Sequence, residues 1–363
     1  MIHKLAMCMI HGVGEITAKK LIAYTGSPKA VFEESQNSLM KIPGIGEILA
    51  KEISKKEVLL KAEKELKFIE KHNITAFFYL DKEYPYRLKE CEDSPIILFH
   101  RGKMCLDAPK IISIVGTRQA TPEGCEFTFD IVKTLAEGHK DMLIVSGLAY
   151  GIDIVAHRSA LKNQLNTVAV LAHGLDRLYP PHHKQTATQI LDQGATVTDF
   201  PSQTIFDKGN FIKRNRIIAG LADATIVVES DIKGGALLTA EFANSYNRDV
   251  FAIPGKPSDK FHKGCNWLIK TNKAGLMDSV IDLEKAMNWE SNENQKPKQR
   301  SLVFDFSPDE QLIVDTLKNE NELSIDFISV RSQLPINKVS ASLLNLEFQG
   351  VVKTMPGKIF KLI

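Results

Sequence analysis

The stretch Ile111-Ile112-Ser113-Ile114-Val115-Gly116-Thr117-Arg118, followed by Thr121-Pro122-Glu123, decides how the rest of the chain is read. The β-branched run 111–115 has the character of a strand. It ends in a glycine turn, after which Thr121 suits a helix N-cap and Pro122 the first helical position. A glycine after a strand lets backbone approach a ligand closely, and the free amides of the following helix attract phosphate. Arg118 adds a bidentate, charge-assisted donor. The same residues also suit a plain strand-to-helix turn with a surface arginine.

The alternation of strand and helix patterns continues on both sides, from about residue 76 to residue 289. The runs 142–146, 167–172, 196–198, 225–229 and 250–253 read as further strands, and the fold class is α/β: an extended Rossmann-like, doubly wound parallel sheet. Ahead of it, Tyr84-Pro85 through Ile96-Ile97-Leu98-Phe99 reads as an added extended segment on a sheet edge. Residues 1–75 form an all-α unit, with 47–71 as a long helical run. Inside that unit Ile10-His11-Gly12-Val13-Gly14-Glu15-Ile16 recurs as Ile42-Pro43-Gly44-Ile45-Gly46-Glu47-Ile48. Each copy is a hydrophobic-x-Gly-hydrophobic-Gly turn opening a helix and resembles a helix-hairpin-helix of SAM-like type.

The domains are therefore 1–75, helical; 76–290, Rossmann-like; 291–304, a linker; and 305–363. Residues 291–300 carry no apolar side chain except Pro297 and read as solvated. In the last unit Ser307-Pro308-Asp309-Glu310 opens a capped helix, 323–334 and 337–349 are two more, and 350–362 is a hairpin. That succession is a winged helix-turn-helix.

Composition narrows the function. Of 363 residues 44% are hydrophobic and 25% charged, which excludes a disordered chain. Lys plus Arg number 46 against 44 acids, a net charge of +2, so any polyanion site is a local patch. Five cysteines without a C-x-x-C pair or Cys/His ligand set fit a reduced cytoplasmic protein with no disulfide framework and no metal. No run approaches the ~20 apolar residues of a spanning helix, so no membrane insertion is expected. A G-x-x-x-x-G-K-[ST] loop, a G-x-S-x-G elbow and an H-E-x-x-H helix are all missing, and no cofactor is implied.

Three more segments carry candidate chemistry. Ser146-Gly147-Leu148-Ala149-Tyr150-Gly151-Ile152-Asp153 sets glycines at the carboxyl end of a strand as an anion-accepting crest. Asp153 reads as a helix cap and His157 as a packed core histidine. In the run 207–220, Lys208, Lys213, Arg214 and Arg216 face a single acid, Asp207, around Asn210, Phe211 and Asn215. Cations interrupted by an aromatic suit single-stranded nucleic acid; alternatively Ile217 and Ile218 anchor a helix whose Phe211 is core. Gly234-Gly235 makes one more anion-facing turn, so several turns converge on a phosphate-lined groove. Glu229 and Glu241 are the only carboxylates well placed for catalysis, with an ion pair to Arg214 or Arg216 as the expected role of either. The helical unit holds 12 Lys against nine Glu and suits either phosphate contact through its Gly-hydrophobic-Gly turns or packing against a partner. The winged helix, with six basic residues against seven acids from residue 306 onward, is a poor duplex reader alone.

Taken together, Ile114-Val115-Gly116-Thr117-Arg118, the 146–153 turn with Ala156-His157, Gly174-Leu175-Asp176 with Tyr179-Pro180, Arg214-Asn215-Arg216-Ile217-Ile218-Ala219-Gly220-Leu221 and Gly234-Gly235-Ala236-Leu237-Leu238-Thr239-Ala240 resemble the bacterial DNA-processing protein A (DprA, or Smf) family over nearly the whole chain. The resemblance implies a homodimer, joined through the Rossmann-like domain, that binds and protects incoming single-stranded DNA in natural transformation and loads the RecA recombinase onto it, without catalysis. It places DNA contacts on Gly116, Thr117, Arg118, Ser146, Gly147, Gly151, Lys208, Asn210, Phe211, Lys213, Arg214, Asn215, Gly234 and Gly235. Thr117 stands where the family often has Ser, Ala172-His173-Gly174 replaces a more usual Gly-Cys-Gly, and Ile212 replaces a common Pro. Two rival readings are a nucleotide phosphoribohydrolase, with Arg118 as substrate clamp and Glu241 as catalytic acid, and an adaptor whose terminal domains recruit partners.

Overall fold

The computed structural model describes residues 1–55, 57–289, 306–319, 322–355 and 359–362. The expected strands all form and join one sheet with strands on either side of them: β1 (Thr75–Phe78), β2 (Ile97–Gly102), β3 (Lys110–Val115), β4 (Met142–Ser146), β5 (Asn166–Val170), β6 (Ala195–Thr198), β7 (Ala224–Val227), β8 (Asp249–Ala252) and β9 (Gly275–Leu276). Their order is β1-β2-β6-β5-β4-β3-β7-β8-β9. β3 to β9 pair in parallel, and β2 and β1 run antiparallel to their neighbours. The chain winds outward from β3 to β6, then returns to lay β7 against the other side of β3. That reversal is a topological switch point, where doubly wound sheets open a crevice at the carboxyl ends of their strands.

Helices cover both faces, which is why β3 is apolar on both sides, its one buried polar side chain, Ser113, donating to the Thr225 hydroxyl at 2.7 Å. Ile111 and Val115 pack with Ile217, Ile218 and Leu221 of the helix Lys208–Leu221 and with Ala236 and Ala240 of Gly235–Ser245. Ile112 and Ile114 pack on the opposite face with Ile131, Val132 and Leu135 of Pro122–Gly138 and with Ile152 and Ala156 of Ile152–Lys162. The Thr121 hydroxyl caps Pro122–Gly138 by accepting from the Gly124 amide at 3.0 Å, as its position predicts.

The lead-in differs from the expected extended edge. Tyr86–Lys89 is helical, and β2 lies inside the sheet because β1 takes the edge. Arg87, buried, grips Asp223 bidentately at 2.7 and 2.9 Å, and Asp223 also accepts from the Ile111 amide at 2.8 Å. The lead-in is thereby tied to the first parallel strand. The run 47–71 is two helices, Glu47–Ile53 and Glu57–Lys71. The break comes where the Ser54 hydroxyl donates to the Ala50 carbonyl, the back-bonding that lets serine compete with a helix.

Both copies of the N-terminal repeat take the same shape: Gly14 and Gly46 cap their helices with φ −87° and −86° and ψ 174° in each. The first copy is turned inward. Glu15 accepts from the Ile96 amide at 2.8 Å and meets Arg216 at 3.4 Å, Arg216 also pairs with Asp199, and Glu65 accepts from the Ser202 amide at 2.9 Å. The core of the helical module continues into Phe78, Ile97 and Phe99 of the sheet and Ile96 just ahead of β2. Residues 1–290 accordingly make one compact unit and 291–363 a second, so residue 75 marks a change of architecture within a shared core.

The second unit has helices Pro308–Asn319, Ile325–Ser332 and Ile336–Phe348 and strands Glu322–Ser324, Val352–Met355 and Ile359–Leu362, a winged helix. Ser307 and Glu310 exchange hydrogen bonds at 2.9 and 3.3 Å in the expected cap. Leu323 belongs to a strand rather than to the helix read from it. The expected linker lies outside the described residues.

Candidate nucleic-acid interface

The crevice at the switch point is a groove of about 290 Å³ between the turn after β3, the segment after β7 and the helix Lys208–Leu221. Of the residues expected there, Gly116, Thr117, Arg118, Lys208, Phe211, Arg214, Asn215, Gly234 and Gly235 line it. Arg118 is exposed, and its guanidinium carbon stands 4.9 Å from the centre of the Phe211 ring, a cation–π distance. Lys208 is exposed at the first position of its helix, capped by Asp207, whose carboxylate accepts from the Gly209 amide at 2.6 Å. Asn215 donates to the Gly235 carbonyl at 3.2 Å and so joins the two helices that flank the groove.

The other expected residues act behind it. Ser146 is fully buried and donates to the Ile114 carbonyl at 2.6 Å. Asn210 is buried and donates to the Ile205 carbonyl at 3.1 Å, bracing the preceding loop. Gly147 lines an adjoining slot, and Lys213 is exposed outside the groove lining. Gly151 has φ +76°, and a side chain there would overlap the Thr117 carbonyl, so it lets two strand-end turns nest. Gly116 is required by packing as well as by any ligand, since a Cβ would strike Ile152.

Electrostatics correct the reading of the basic run. The four cations do not form one patch, because a helix sends successive side chains around its axis. Arg216 points to the helical module, as described. Arg214 is buried under Gly147 with Asp153, its nearer oxygen 3.9 Å away. Asp153 is not the helix cap, which is Gly151; its carboxylate instead accepts from the amides of Gly147 and Ala149 at 3.2 and 3.4 Å. Burial raises the Asp153 carboxyl against the pull of Arg214, and burial lowers Arg214 to about 10, against the pull of Asp153 and with a push from Arg118. Arg118 and Lys208 are thus the exposed cations of the groove lining.

His157 packs as expected, fully buried with Nδ1 2.7 Å from the Thr167 hydroxyl. Glu229 and Glu241 do not pair with the arginines. Buried Glu229 accepts from the Thr121 amide at 3.0 Å and from its hydroxyl, anchoring the helix after β3, while Glu241 meets Lys273 at 3.5 Å outside the groove lining. Sequence reasoning missed Ser230, Asp231 and Thr239 on the groove wall and assigned no role to Tyr150 and Tyr179. Their signal is positional: each lies on a segment that follows a parallel strand, except Thr239 on the next helix.

Known proteins match this arrangement. The family described as DNA recombination-mediator protein A matches residues 75–288, a DprA winged helix domain matches 294–358, and a SAM-like helix-hairpin-helix tandem matches 5–56. Protein Smf of Synechocystis is 31% identical over 97% of this chain and 96% of its own. The DNA processing protein DprA of Streptococcus pneumoniae is 38% identical over 57% of this chain and 72% of its own. Its family's solved structure from that organism superposes with a TM-score of 0.65 at 30% identity, covering 78% of this chain and 97% of that one. A second, DNA processing protein A from Helicobacter pylori, solved to explain a single-stranded DNA binding mode, gives 0.53 at 26% identity over 59% and 95%. With its sheet domain and both flanking segments matched by family models, and a relative 31% identical along nearly its full length, the chain belongs to the DNA recombination-mediator protein A (DprA/Smf) family.

Proposed function

We propose that this protein binds single-stranded DNA in the switch-point groove, as a homodimer in the cytoplasm, and loads the RecA recombinase onto the bound strand during recombination and natural transformation. One observation carries the DNA part: exposed Arg118 lies over Phe211 at the mouth of a groove walled by glycine turns. A cation for phosphate and a ring face for a base, side by side, suit an unpaired strand, whose bases are free to stack. The loading and dimer parts rest on family membership and on the description of that family as a recombination mediator. The proposal includes no catalysis. Glu241, the acid that a phosphoribohydrolase reading requires beside Arg118, pairs with Lys273 instead.

Fluorescence anisotropy with labelled single strands and duplexes of equal length tests the reading. Tighter binding of single strands is expected. Equal or tighter binding of duplex would overturn it.

A further inference from the structure

Beside the groove lies a slot that shares Arg118, Ala149 and Phe211 with it and is otherwise walled by aromatic and small side chains, among them Tyr150 and Tyr179. The Tyr179 ring stands 4.8 Å from Phe206 and 6.0 Å from Phe211, and Phe206 stands 5.5 Å from Phe211. The three make a continuous aromatic ledge. Its outer members are open to solvent, Tyr179 by 39% and Phe206 by 44%. Large rings left exposed around a shared cluster are unusual on a surface that nothing covers.

The ledge is held in place from below. Buried His173 donates from Nδ1 to the Gly174 carbonyl at 2.9 Å, which leaves Nε2 to accept the Tyr179 amide at 3.2 Å. Both contacts demand one neutral tautomer, and burial lowers the ring's proton affinity and keeps it neutral. Asn210 braces the loop that carries Phe206 through the Ile205 carbonyl. On the other wall, the Tyr150 ring meets buried His183 edge-on at 5.0 Å, and His183 is itself held to the Leu148 carbonyl at 2.9 Å.

From this geometry we infer that Tyr179 and Phe206, with Phe211, form a base-stacking track that runs beside the phosphate groove and receives the unstacked nucleobases of a bound single strand. The inference rests on the proposed function and adds to it: phosphates follow Arg118, Lys208 and the glycine turns, and bases turn toward the ledge. Continuity of the two linings through Arg118 and Phe211 is what selects nucleobases over other apolar occupants. Stacking needs a ring face and no hydrogen-bond readout, so the track tolerates any sequence.

The test compares a short oligothymidylate with an abasic strand of the same length and charge, each labelled, by anisotropy over a salt series. Wild-type protein should bind the oligothymidylate roughly five- to a hundredfold more tightly than the abasic strand. Phe206→Ala and Tyr179→Ala should each lose much of that difference, while abasic affinity and the salt dependence stay as in wild type. Tyr179→Phe should retain it. Phe206 lies on an exposed loop, so its variant reports even if Tyr179→Ala folds poorly. Equal wild-type binding of the two strands would overturn the base track and leave the phosphate groove standing, as would variants that weaken both strands alike or neither. Wild-type protein that binds neither strand would overturn the proposed function and the track with it.

Discussion

Arg214 and Asp153 lie 3.9 Å apart in the floor of the groove, each more than nine-tenths buried. The pair is long, and Arg214 Nε has no hydrogen-bond partner among the described residues. Burial therefore outweighs the mutual attraction for both groups, yet neither can be removed alone, because the survivor would be a buried, uncompensated charge. Asp153 also holds the Gly147 and Ala149 amides. Asp153→Ala should destabilise residues 1–290 by about 3–5 kcal/mol, read as a lower denaturant midpoint. An unchanged midpoint would mean that Arg214 is hydrated in the native protein.

Gly151 sits at φ +76° against the Thr117 carbonyl, whereas a Cβ at Gly235 meets nothing within 4 Å. Gly151→Ala strains the backbone by at least ~1–3 kcal/mol and must push the Thr117-Arg118 turn away. It should lower the melting temperature and weaken single-strand binding together. Gly235→Ala, on an open helix start, should melt close to wild type. Equal melting of the two variants would show that the nested turns are not under the constraint described.

His157 is fully buried, and burial above all, aided by Arg214 and His183, lowers its pKa from 6.5 to about 3. The unfolded chain then binds a proton at a higher pH than the folded one. Stability contributed by the neutral ring is present above pH 6.5 and is lost as the pH falls from there toward 3. Over that window the loss should reach roughly 4 kcal/mol. Urea titrations at stepped pH should show the decline in wild type and a shallower one in His157→Gln. A decline of the same steepness in both would assign it to other groups.

How much of this was legible in the sequence depends on what each residue answers to. Strand positions 142–146 are recovered to the residue because an uninterrupted apolar run has one good place in a doubly covered sheet. The glycine turns and Thr121 cap are legible because their chemistry is local. Arg214 and Arg216 are not: two residues apart on one helix, they point to different partners, Asp153 for one and Asp199 and Glu15 for the other, which only folding brings to them. A count of charges along the chain therefore overstates the groove's positive potential. The pairing of Tyr179 with Phe206 is not legible for the same reason, since the loops that carry them meet only after folding.

Arg118 and Phe211 divide the central claim into two measurable parts. Single-strand binding to a lining with Arg118 and Lys208 as its exposed cations should fall with salt at a slope of about −1.4 in log K against log salt, at ~0.7 for each phosphate neutralised. The direct measurement is the anisotropy salt series on wild type, Arg118→Ala and Phe211→Ala with one labelled single strand. Arg118→Ala should flatten the slope by about 0.7, and Phe211→Ala should weaken binding by ~1–3 kcal/mol with the slope kept. Two variants that bind as wild type does, with its slope, would contradict the account and place the DNA elsewhere on the protein.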